Sequence, residues 1–430
     1  MRRLPTHLST WGFSGLRNVF DQFSQPENRL THALVCTLSN ERALIRPFLR
    51  WLGVKDLPPL RDLDLVEQQV PGIAVPADED ESRGLPDACV YTKDGWAVLL
   101  EAKVQSKVSV SQLRRHRATA RRYGYENPWL VVVSVDAPSR ALPRGTLNVV
   151  WRDVYHWFSM RASQEGWART FVDYMRVFES RMLAQDYGIR GTLTMFDGLR
   201  FDADNPYTYR EGKRLMRLLG DELQHRRDLV KLGVDPKGQR RPAIRGRGTD
   251  LVWDFLPLKV ARKAKQFTNF PHLDMAIGRE HALAIVAIPN GVRGGFRTRL
   301  RRQGAKGLHD LLSEVEVALR PVLDRSKGAK AALSASQRHY RSQSSPAVVD
   351  GRMEADLRTA VPGDKQGVKY QPEWVNAMYA LLCNKRSNIH FQVEVRFNYS
   401  CPHVRSRRVV DLFADAWKAM WPIAEFVLED

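Results

Sequence analysis

The chain has 430 residues, a length that predicts two or three domains rather than one. Apolar residues make up 43% of it and charged residues 27%, a globular composition that excludes a disordered or fibrous protein. Basic residues exceed acidic ones by 67 − 48, so the formal net charge is +19 and favours a polyanionic partner, with nucleic acid as the first candidate.

The cysteines and the hydropathy pattern bear on the compartment. Cys36, Cys89, Cys383 and Cys401 are few and widely spaced, so they form no disulfide framework and indicate a reducing compartment. The first residues, "MRRLPTHLSTWGFSG", lack the continuous apolar stretch of a secretory signal. No run reaches the roughly 18 apolar residues of a transmembrane helix. We therefore expect a cytoplasmic protein with no membrane partner.

The first predicted element is a helix from about Glu27 to Leu52, where apolar residues recur at helical spacing. Ser24 and Glu27 match the pattern of a capping box at its start. A weak extended segment follows at 64–75, and its apolar residues are fewer. These two elements precede the most distinctive stretch of the chain.

That stretch is a hairpin followed by further α/β elements. The segments "DACVYT" and "WAVLLEAK" are rich in strand-forming residues, and "KDG" between them favours a tight turn. A helix is predicted at 109–123, a buried strand at 129–135 and a short strand at 147–151. The order is therefore helix, strand, two-stranded hairpin, helix and strand.

A domain boundary is expected near 190–206, which divides the chain into domains 1–195 and 196–430. The second domain is predicted to be a basic, mixed α/β or α+β unit of unknown fold that binds nucleic acid or a protein partner. Helices are predicted at 209–232 and 408–428, strands at 282–289 and 390–399, and a mobile loop or linker at 326–346. Polar, basic, glycine-containing segments lie at 236–248 and 291–307.

Three polar side chains of the hairpin are expected to meet at one edge of the sheet. Asp87 opens the first strand, while Glu101 and Lys103 leave the same face near the end of the second. In an antiparallel hairpin, the start of one strand lies beside the end of the other. Two carboxylates placed there can hold Mg²⁺, and a lysine beside them can orient a metal-bound water. These groups are suited to hydrolysing a phosphodiester.

The first 160 or so residues resemble the PD-(D/E)XK nuclease superfamily. The motif is "PD" at 86–87 and "EAK" at 101–103, placed across a tight hairpin, with helices and strands in the order of the family core. The resemblance implies an α/β fold with a restriction-endonuclease-like αβββαβ core. It does not extend to the second domain.

The resemblance also implies roles for individual residues. Asp87, Glu101 and the carbonyl of Ala102 would bind Mg²⁺ or Mn²⁺, and Lys103 would position the nucleophilic water. A strand-entry role for Asp87 and an exposed ion pair between Glu101 and Lys103 are the structural alternatives. Because Asp87, Glu101 and Lys103 are all present, the catalytic interpretation is favoured.

Two further residues match positions that some family members use. Glu27 corresponds to an acidic residue on the first helix, although a capping role would explain it equally well. Gln112 corresponds to a glutamine on the helix after the motif. The chain has His116 where the longer family pattern has tyrosine, which weakens the catalytic interpretation of Gln112 and leaves phosphate contact or solvation as alternatives.

Basic residues in both halves are candidates for nucleic-acid contact, with a solvated surface as the alternative. They are Arg114, Arg115, Arg297, Arg299, Arg301 and Arg302. A zinc site from Cys383, His390, Cys401 and His403 is disfavoured, because their spacing fits none of the usual paired-ligand patterns.

The sequence therefore predicts a metal-dependent nuclease that hydrolyses phosphodiester bonds, with DNA as the expected substrate. Restriction, repair and bacterial defence against phage are all compatible with it. Two alternatives stay open: an RNase, and a subunit that uses the nuclease fold as a platform for binding nucleic acid or a partner. A protein partner or a homo-oligomer is compatible with each.

Overall fold

The computed structural model describes residues 20–23, 25–72, 84–138, 141–163, 166–184, 191–240, 251–262, 267–290, 292, 295–341, 347–363, 367–383 and 388–429. The chain forms a mixed α/β protein with two sheets. It divides into two compact units, Met1–Met195 and Phe196–Asp430, at the same point as the boundary expected from the sequence. Within the described residues, no helix has both the length and the apolar character needed to cross a bilayer.

Among its described residues, the first unit contains five α-helices and a five-stranded sheet. The helices are α1 (Pro26–Asn40), α2 (Ile45–Trp51), α3 (Val110–Arg122), α4 (Trp151–Ser159) and α5 (Trp167–Ala184). The strands are β1 (Asp64–Glu67), β2 (Ala88–Tyr91), β3 (Ala97–Lys103), β4 (Trp129–Ser134) and β5 (Thr146–Val150). Their order in the sheet is β1-β2-β3-β4-β5. The first three strands pair antiparallel, whereas β4 and β5 continue the sheet in parallel.

The long first helix predicted from the sequence is wrong, because the chain turns after Asn40. The Asn40 side chain donates to the carbonyl of Cys36, a local bond that competes with the helical ladder. A 3₁₀ turn at Arg42–Leu44 then leads into α2. Ser24 lies outside the described residues, and the residue before the helix is Gln25, with no side-chain cap.

The hairpin predicted around "KDG" is present. Its turn is closed by the N–H of Thr92, which donates to the carbonyl of Trp96, and Gly95 adopts a φ of +86° that only glycine takes without strain. Alternate residues of β3 then pack on different cores. Val98 and Leu100 face the core shared with α1, α4 and α5, whereas Leu99 faces the smaller core beneath α3.

In the described part of the second unit there are five α-helices and a six-stranded antiparallel sheet in the order β10-β9-β11-β8-β7-β6. The strands are β6 (Leu251–Leu256), β7 (His272–Gly278), β8 (His281–Ile288), β9 (Lys330–Tyr340), β10 (Ala347–Asp356) and β11 (Ile389–Asn398). The helices are α6 (Tyr209–Gln224), α7 (Arg227–Lys231), α8 (Phe296–Arg325), α9 (Pro372–Cys383) and α10 (Val409–Leu428).

The loop predicted at 326–346 in the second unit is wrong. Strand β9 occupies most of the predicted linker at 326–346 and lies inside the sheet, between β10 and β11. Its apolar positions include the alanines 331 and 335, so the alternation is weak in the sequence. The basic segment 291–307 contains the start of α8, where buried Phe296 and Leu300 recur at helical spacing.

The other basic segment, 236–248, is described only as far as Arg240. That side chain is only 10% exposed and forms ion pairs with Asp221 and Asp254. It also donates to the side chain of Gln224 at 3.1 Å. Arg240 is therefore used in the interior of the second unit, and the remaining residues of the segment lie outside the described part of the chain.

Candidate active site at the end of the hairpin

Asp87 lies just before the start of β2, and its side chain contacts the backbone at the end of β3. The register pairs Ala88 with Leu100, so continuing it by one residue places Asp87 beside Glu101. Oδ2 of Asp87 accepts a hydrogen bond of 2.7 Å from the backbone N–H of Ala102. The expected convergence of the two carboxylates at one edge is present, and the first carboxylate is held in place by backbone.

Glu101 is the buried centre of the group, with a side chain that is 1% exposed. Nζ of Lys103 lies 2.5 Å from its Oε1, and Nε2 of His116 lies 2.9 Å from its Oε2. Both carboxylate oxygens of Glu101 are therefore contacted, one by the ammonium of Lys103 and the other by the imidazole of His116.

His116 reaches the group from α3 and is completely buried. Its Nδ1 lies 2.7 Å from the carbonyl oxygen of Gly84, which can only accept, so Nδ1 carries a proton. Its Nε2 faces Oε2 of Glu101, which is also an acceptor when ionised. A second proton must therefore lie between Nε2 of His116 and Oε2 of Glu101, which hydrogen-bonds the two side chains. The sequence pattern marks His116 only as a departure from the family.

The pKa values of the two carboxyl groups move in opposite directions. Burial raises the pKa of Asp87 to about 7, and the nearby charge of Glu101 adds to the rise. Burial also opposes ionisation of Glu101, but its hydrogen bond from His116 and the charge of Lys103 outweigh burial and lower its pKa. At neutral pH, Glu101 is thus an anion. Ionisation of Asp87 would place a second negative charge beside it, and that charge needs compensation.

The donor set fits a hard divalent cation. Two carboxyl groups stand close enough for the charge of one to raise the pKa of the other, an arrangement that a bound cation relieves. Oxygen ligands of this kind are those that Mg²⁺ and Mn²⁺ take in proteins.

Glu27 fastens the loop that follows β3 and does not cap its helix. Its Oε1 accepts from the backbone N–H groups of Val104, Gln105 and Ser106 at 3.3, 2.9 and 3.1 Å. Burial alone would raise the pKa of Glu27, but the N–H groups of Gln105 and Ser106 outweigh burial and lower it. The capping-box interpretation is wrong, since the carboxylate faces this loop. Support of a metal stays a prediction.

The other candidates on α3 lie around His116. Gln112 is half-buried, and its backbone N–H donates to the side chain of Ser109, the N-cap of the helix. No hydrogen bond within the described residues joins the Gln112 side chain to Asp87 or Glu101. Arg114 and Arg115 are exposed on the same helix. They are available to solvent or to a ligand, and phosphate contact stays a prediction for all three.

The four arginines predicted to bind nucleic acid in the second unit lie on the first turns of α8. Arg299 donates to the carbonyl of Phe426 at 2.7 Å, with its guanidinium 5.6 Å from the ring centre. Arg297 donates to the side chain of Asn290 at 3.2 Å, and Arg301 to the carbonyl of Cys383. Arg302 is exposed. At least Arg299 therefore has a structural role, and contact with phosphates is untested.

Within the described residues, metal-ligating side chains gather in one further cluster, His32, Cys36 and Glu67 on α1 and β1. The disfavoured zinc set at 383–403 forms no such cluster among these residues. The group on α1 was not predicted from the sequence. The signal was present, because a histidine and a cysteine four residues apart on a helix lie on one face, but Glu67 joins them only through the fold.

Comparisons with known proteins do not place the chain. A scan against protein-family models, a search of curated proteins and a search of solved structures each find no match. The resemblance to the PD-(D/E)XK superfamily therefore stays a prediction from the motif and the order of elements. The functional conclusion depends on the geometry of the site.

Proposed function

We propose that the first unit is a metal-dependent nuclease with a restriction-endonuclease-like αβββαβ core, acting on DNA. The observation that carries the proposal is the meeting of Asp87, Glu101 and Lys103 at the end of a hairpin. Two carboxyl groups and an amine at one sheet edge are the parts that phosphodiester hydrolysis requires. The order of helices and strands supports the same core.

Asp87 and Glu101, with the carbonyl of Ala102, are the residues that would hold Mg²⁺ or Mn²⁺. When bound, such an ion supplies Lewis-acid stabilisation of the phosphoryl oxygens and lowers the pKa of a water. The protein prepares for this by pinning Asp87 to the N–H of Ala102 and by holding Glu101 against His116. Both carboxyl groups therefore have fixed positions, which costs no reorganisation during reaction.

Lys103 provides the positive charge. Its side chain is 12% exposed, so the amine lies at the boundary between the buried carboxylate and solvent. From there it orients the attacking water and offsets the negative charge that develops on the phosphate in the transition state. His116 acts through Glu101, as a positioning residue that keeps one carboxylate oxygen turned away from the lysine.

The substrate follows from charge. A net charge of +19 attracts a polyanion. Arg114 and Arg115 are exposed on α3, the helix that also supplies His116 to the site. These side chains can contact phosphates on either side of a bound scissile bond, without reading base sequence. DNA is the proposed substrate, and structured RNA is the alternative.

The test is cleavage of supercoiled plasmid, single-stranded DNA and structured RNA by the full chain, with Mg²⁺, Mn²⁺ or EDTA. We expect cleavage of DNA with either metal and none with EDTA. Lys103→Met is the matched variant, since it keeps the length of the side chain and removes the amine. Failure to cut any substrate in either metal, or equal cleavage by Lys103→Met, would contradict the proposal.

A second candidate function is binding without cleavage. It is favoured by the ion pairs of Glu101 with Lys103 and His116, which neutralise the buried carboxylate without a metal. A protein of this kind would bind DNA in both Mg²⁺ and EDTA with the same affinity. A metal-independent binding curve, together with intact substrate, would favour this function over the nuclease.

A further inference from the structure

A second group of donor atoms lies away from the carboxylates of the hairpin. His32 and Cys36 stand one turn apart on α1, and Glu67 ends β1 opposite them. Nδ1 of His32 lies 2.9 Å from both carboxylate oxygens of Glu67. Sγ of Cys36 lies 3.7 Å from Nδ1 and 3.5 Å from Nε2 of the same ring. One ligand atom from each residue lies within 4.8 Å of the others.

These spacings are close to those around one tetrahedral ion. Ligand atoms bound to zinc at about 2.0–2.3 Å lie roughly 3.3–3.6 Å from each other. The sulfur–nitrogen distances of 3.5 and 3.7 Å lie near this range, and the nitrogen–oxygen distance of 2.9 Å is only a few tenths shorter. The distance from the sulfur to the carboxylate is within 4.8 Å, so the three ligand atoms surround one possible centre.

The sulfur lies at similar distances from both ring nitrogens, 3.5 Å from Nε2 and 3.7 Å from Nδ1, and both are within hydrogen-bonding distance for sulfur. A relay in which His32 activates the Cys36 thiol is therefore the competing use of these residues, and alkylation of Cys36 tests it. Burial raises the pKa of the Cys36 thiol, and the charge of Glu67 adds to it. A nearby cation would reverse that effect.

We propose that His32, Cys36 and Glu67 form a binding site for a transition-metal ion, with Zn²⁺ as the favoured ion. Sulfur and imidazole ligands select zinc over magnesium, which prefers oxygen. Three protein ligands leave a fourth position, and the side chains of His32 and Glu67 are 12% and 20% exposed, so water can reach it. The site therefore differs in chemistry from the oxygen ligands proposed for Mg²⁺.

The ion would join α1 to the edge strand β1. Strand β1 is short and, among the residues that the structure describes, pairs on one side only, with β2. Helix α1 carries Glu27 as well, which fastens the loop after β3. Metal binding would thus stabilise the arrangement of helix and sheet in the first unit. This proposal does not depend on nuclease activity, since no ligand belongs to the hairpin site.

The test is titration of the chelator-treated full chain with Co²⁺, whose bond to a thiolate gives a charge-transfer absorption. We expect the absorption to appear, to saturate at one equivalent and to be removed by Zn²⁺. Cys36→Ser should lack it, and Cys383→Ser, at a half-buried cysteine of the second unit, should keep it. Glu67→Gln and His32→Gln should weaken Zn²⁺ binding by at least about tenfold.

A thermal-unfolding measurement gives a second readout. Zn²⁺ should raise the Tm of the wild type and of Cys383→Ser, but not of Cys36→Ser. Circular dichroism shows whether each variant is folded, and Glu67→Gln replaces Cys36→Ser if the latter is not. A folded wild type without the absorption, or an unchanged absorption in Cys36→Ser, would overturn the proposal. So would rapid alkylation of Cys36 that depends on His32 and is unaffected by Zn²⁺.

Discussion

Each unit of the protein contains a pair of neighbouring acidic side chains, and in each pair one pKa is raised. In the first unit, burial and the charge of Glu101 raise the pKa of Asp87 to about 7. In the second unit, burial and the charge of Asp254 raise the pKa of Asp274 to about 8. By this measure alone, the second pair is the more strongly perturbed.

The surroundings of the two pairs differ. Asp274 lies inside β7, between Phe255 on β6 and Ile285 on β8 in the register, with a side chain that is 12% exposed and 3.8 Å from Nδ1 of His272. Asp254 pairs with the buried guanidinium of Arg240. Asp87 stands instead at the entry of β2, half-buried, with an amine and an imidazole on the neighbouring carboxylate.

A raised pKa therefore does not by itself mark an active site. Burial within a strand favours the protonated form of Asp274, and a protonated carboxyl group is a poor metal ligand. At the end of a strand, a carboxyl group with the same kind of shift can be reached by a cation and a substrate. The position of the residue along its strand separates the two cases.

The largest expected effect is on the rate of DNA cleavage. It should distinguish the hairpin pair, Asp87 and Glu101, from the second pair, Asp254 and Asp274. Asp87→Asn removes a ligand charge from the hairpin site, so we expect cleavage of plasmid in Mg²⁺ to fall by at least about a hundredfold. Asp274→Asn, which resembles the protonated form of that residue, should cleave at the wild-type rate. Initial rates of plasmid nicking measure both. An equal loss of cleavage in Asp87→Asn and Asp274→Asn would contradict a specific role of the hairpin carboxyl groups in cleavage.

A smaller effect is expected from His116. His116→Leu leaves Oε2 of Glu101 and the carbonyl of Gly84 without their partner, and should lower cleavage by about 10–100-fold and unfolding free energy by about 1–3 kcal/mol. His116→Gln keeps a donor and should restore much of the cleavage. Measuring kcat and unfolding for both variants separates positioning from stability. A wild-type kcat in folded His116→Leu would exclude the positioning role.

The second pair predicts a pH dependence of stability. The pKa of Asp274 is about 8 in the folded protein and near 3.8 when the chain is unfolded, so the folded state holds the proton more tightly. Its contribution is favourable below the unfolded pKa and is lost as pH rises through the folded pKa. Asp274→Asn should therefore gain more than about 1 kcal/mol relative to wild type between pH 5 and pH 8.

Urea unfolding at both pH values checks this prediction. Asp87→Asn, measured in the presence of Mg²⁺, serves as the comparison. Metal bound to the wild type would hide a similar pH dependence of stability from the carboxyl groups of the hairpin. If Asp274→Asn and wild type lose stability in parallel from pH 5 to pH 8, Asp274 is not protonated at neutral pH.

The smallest expected effect concerns the arginines. Arg114→Ser with Arg115→Ser should reduce the magnitude of the log–log salt slope for duplex DNA by about 0.9 for each phosphate that the variant no longer neutralises. Arg302→Ser, at an exposed position of the second unit, is a single-charge comparison. Filter binding or fluorescence anisotropy over a range of salt gives the slopes. Unchanged slopes in both variants would mean that phosphates bind to other parts of the chain.

Sequence periodicity was sufficient for the hairpin and for much of the first unit. Turn chemistry at "KDG" and strand parity placed Asp87, Glu101 and Lys103 at one edge, because a two-residue repeat fixes which side chains share a face. It was not sufficient for β9, where alanine and serine alternate too weakly to be distinguished from a loop. It also failed at Asn40, whose side-chain hydrogen bond ends the helix within an otherwise helical pattern.

Contacts between distant segments were decided only by the tertiary structure. The spacing of the sequence brings Glu101 near Lys103, but His116 reaches Glu101 because α3 packs on the face of β3 that carries odd-numbered residues. Glu67 joins His32 because β1 lies beside α1. Local patterns are set by the geometry of a single element, whereas the partners of a buried charge depend on which elements pack together, and the periodicity of one segment contains no information on that.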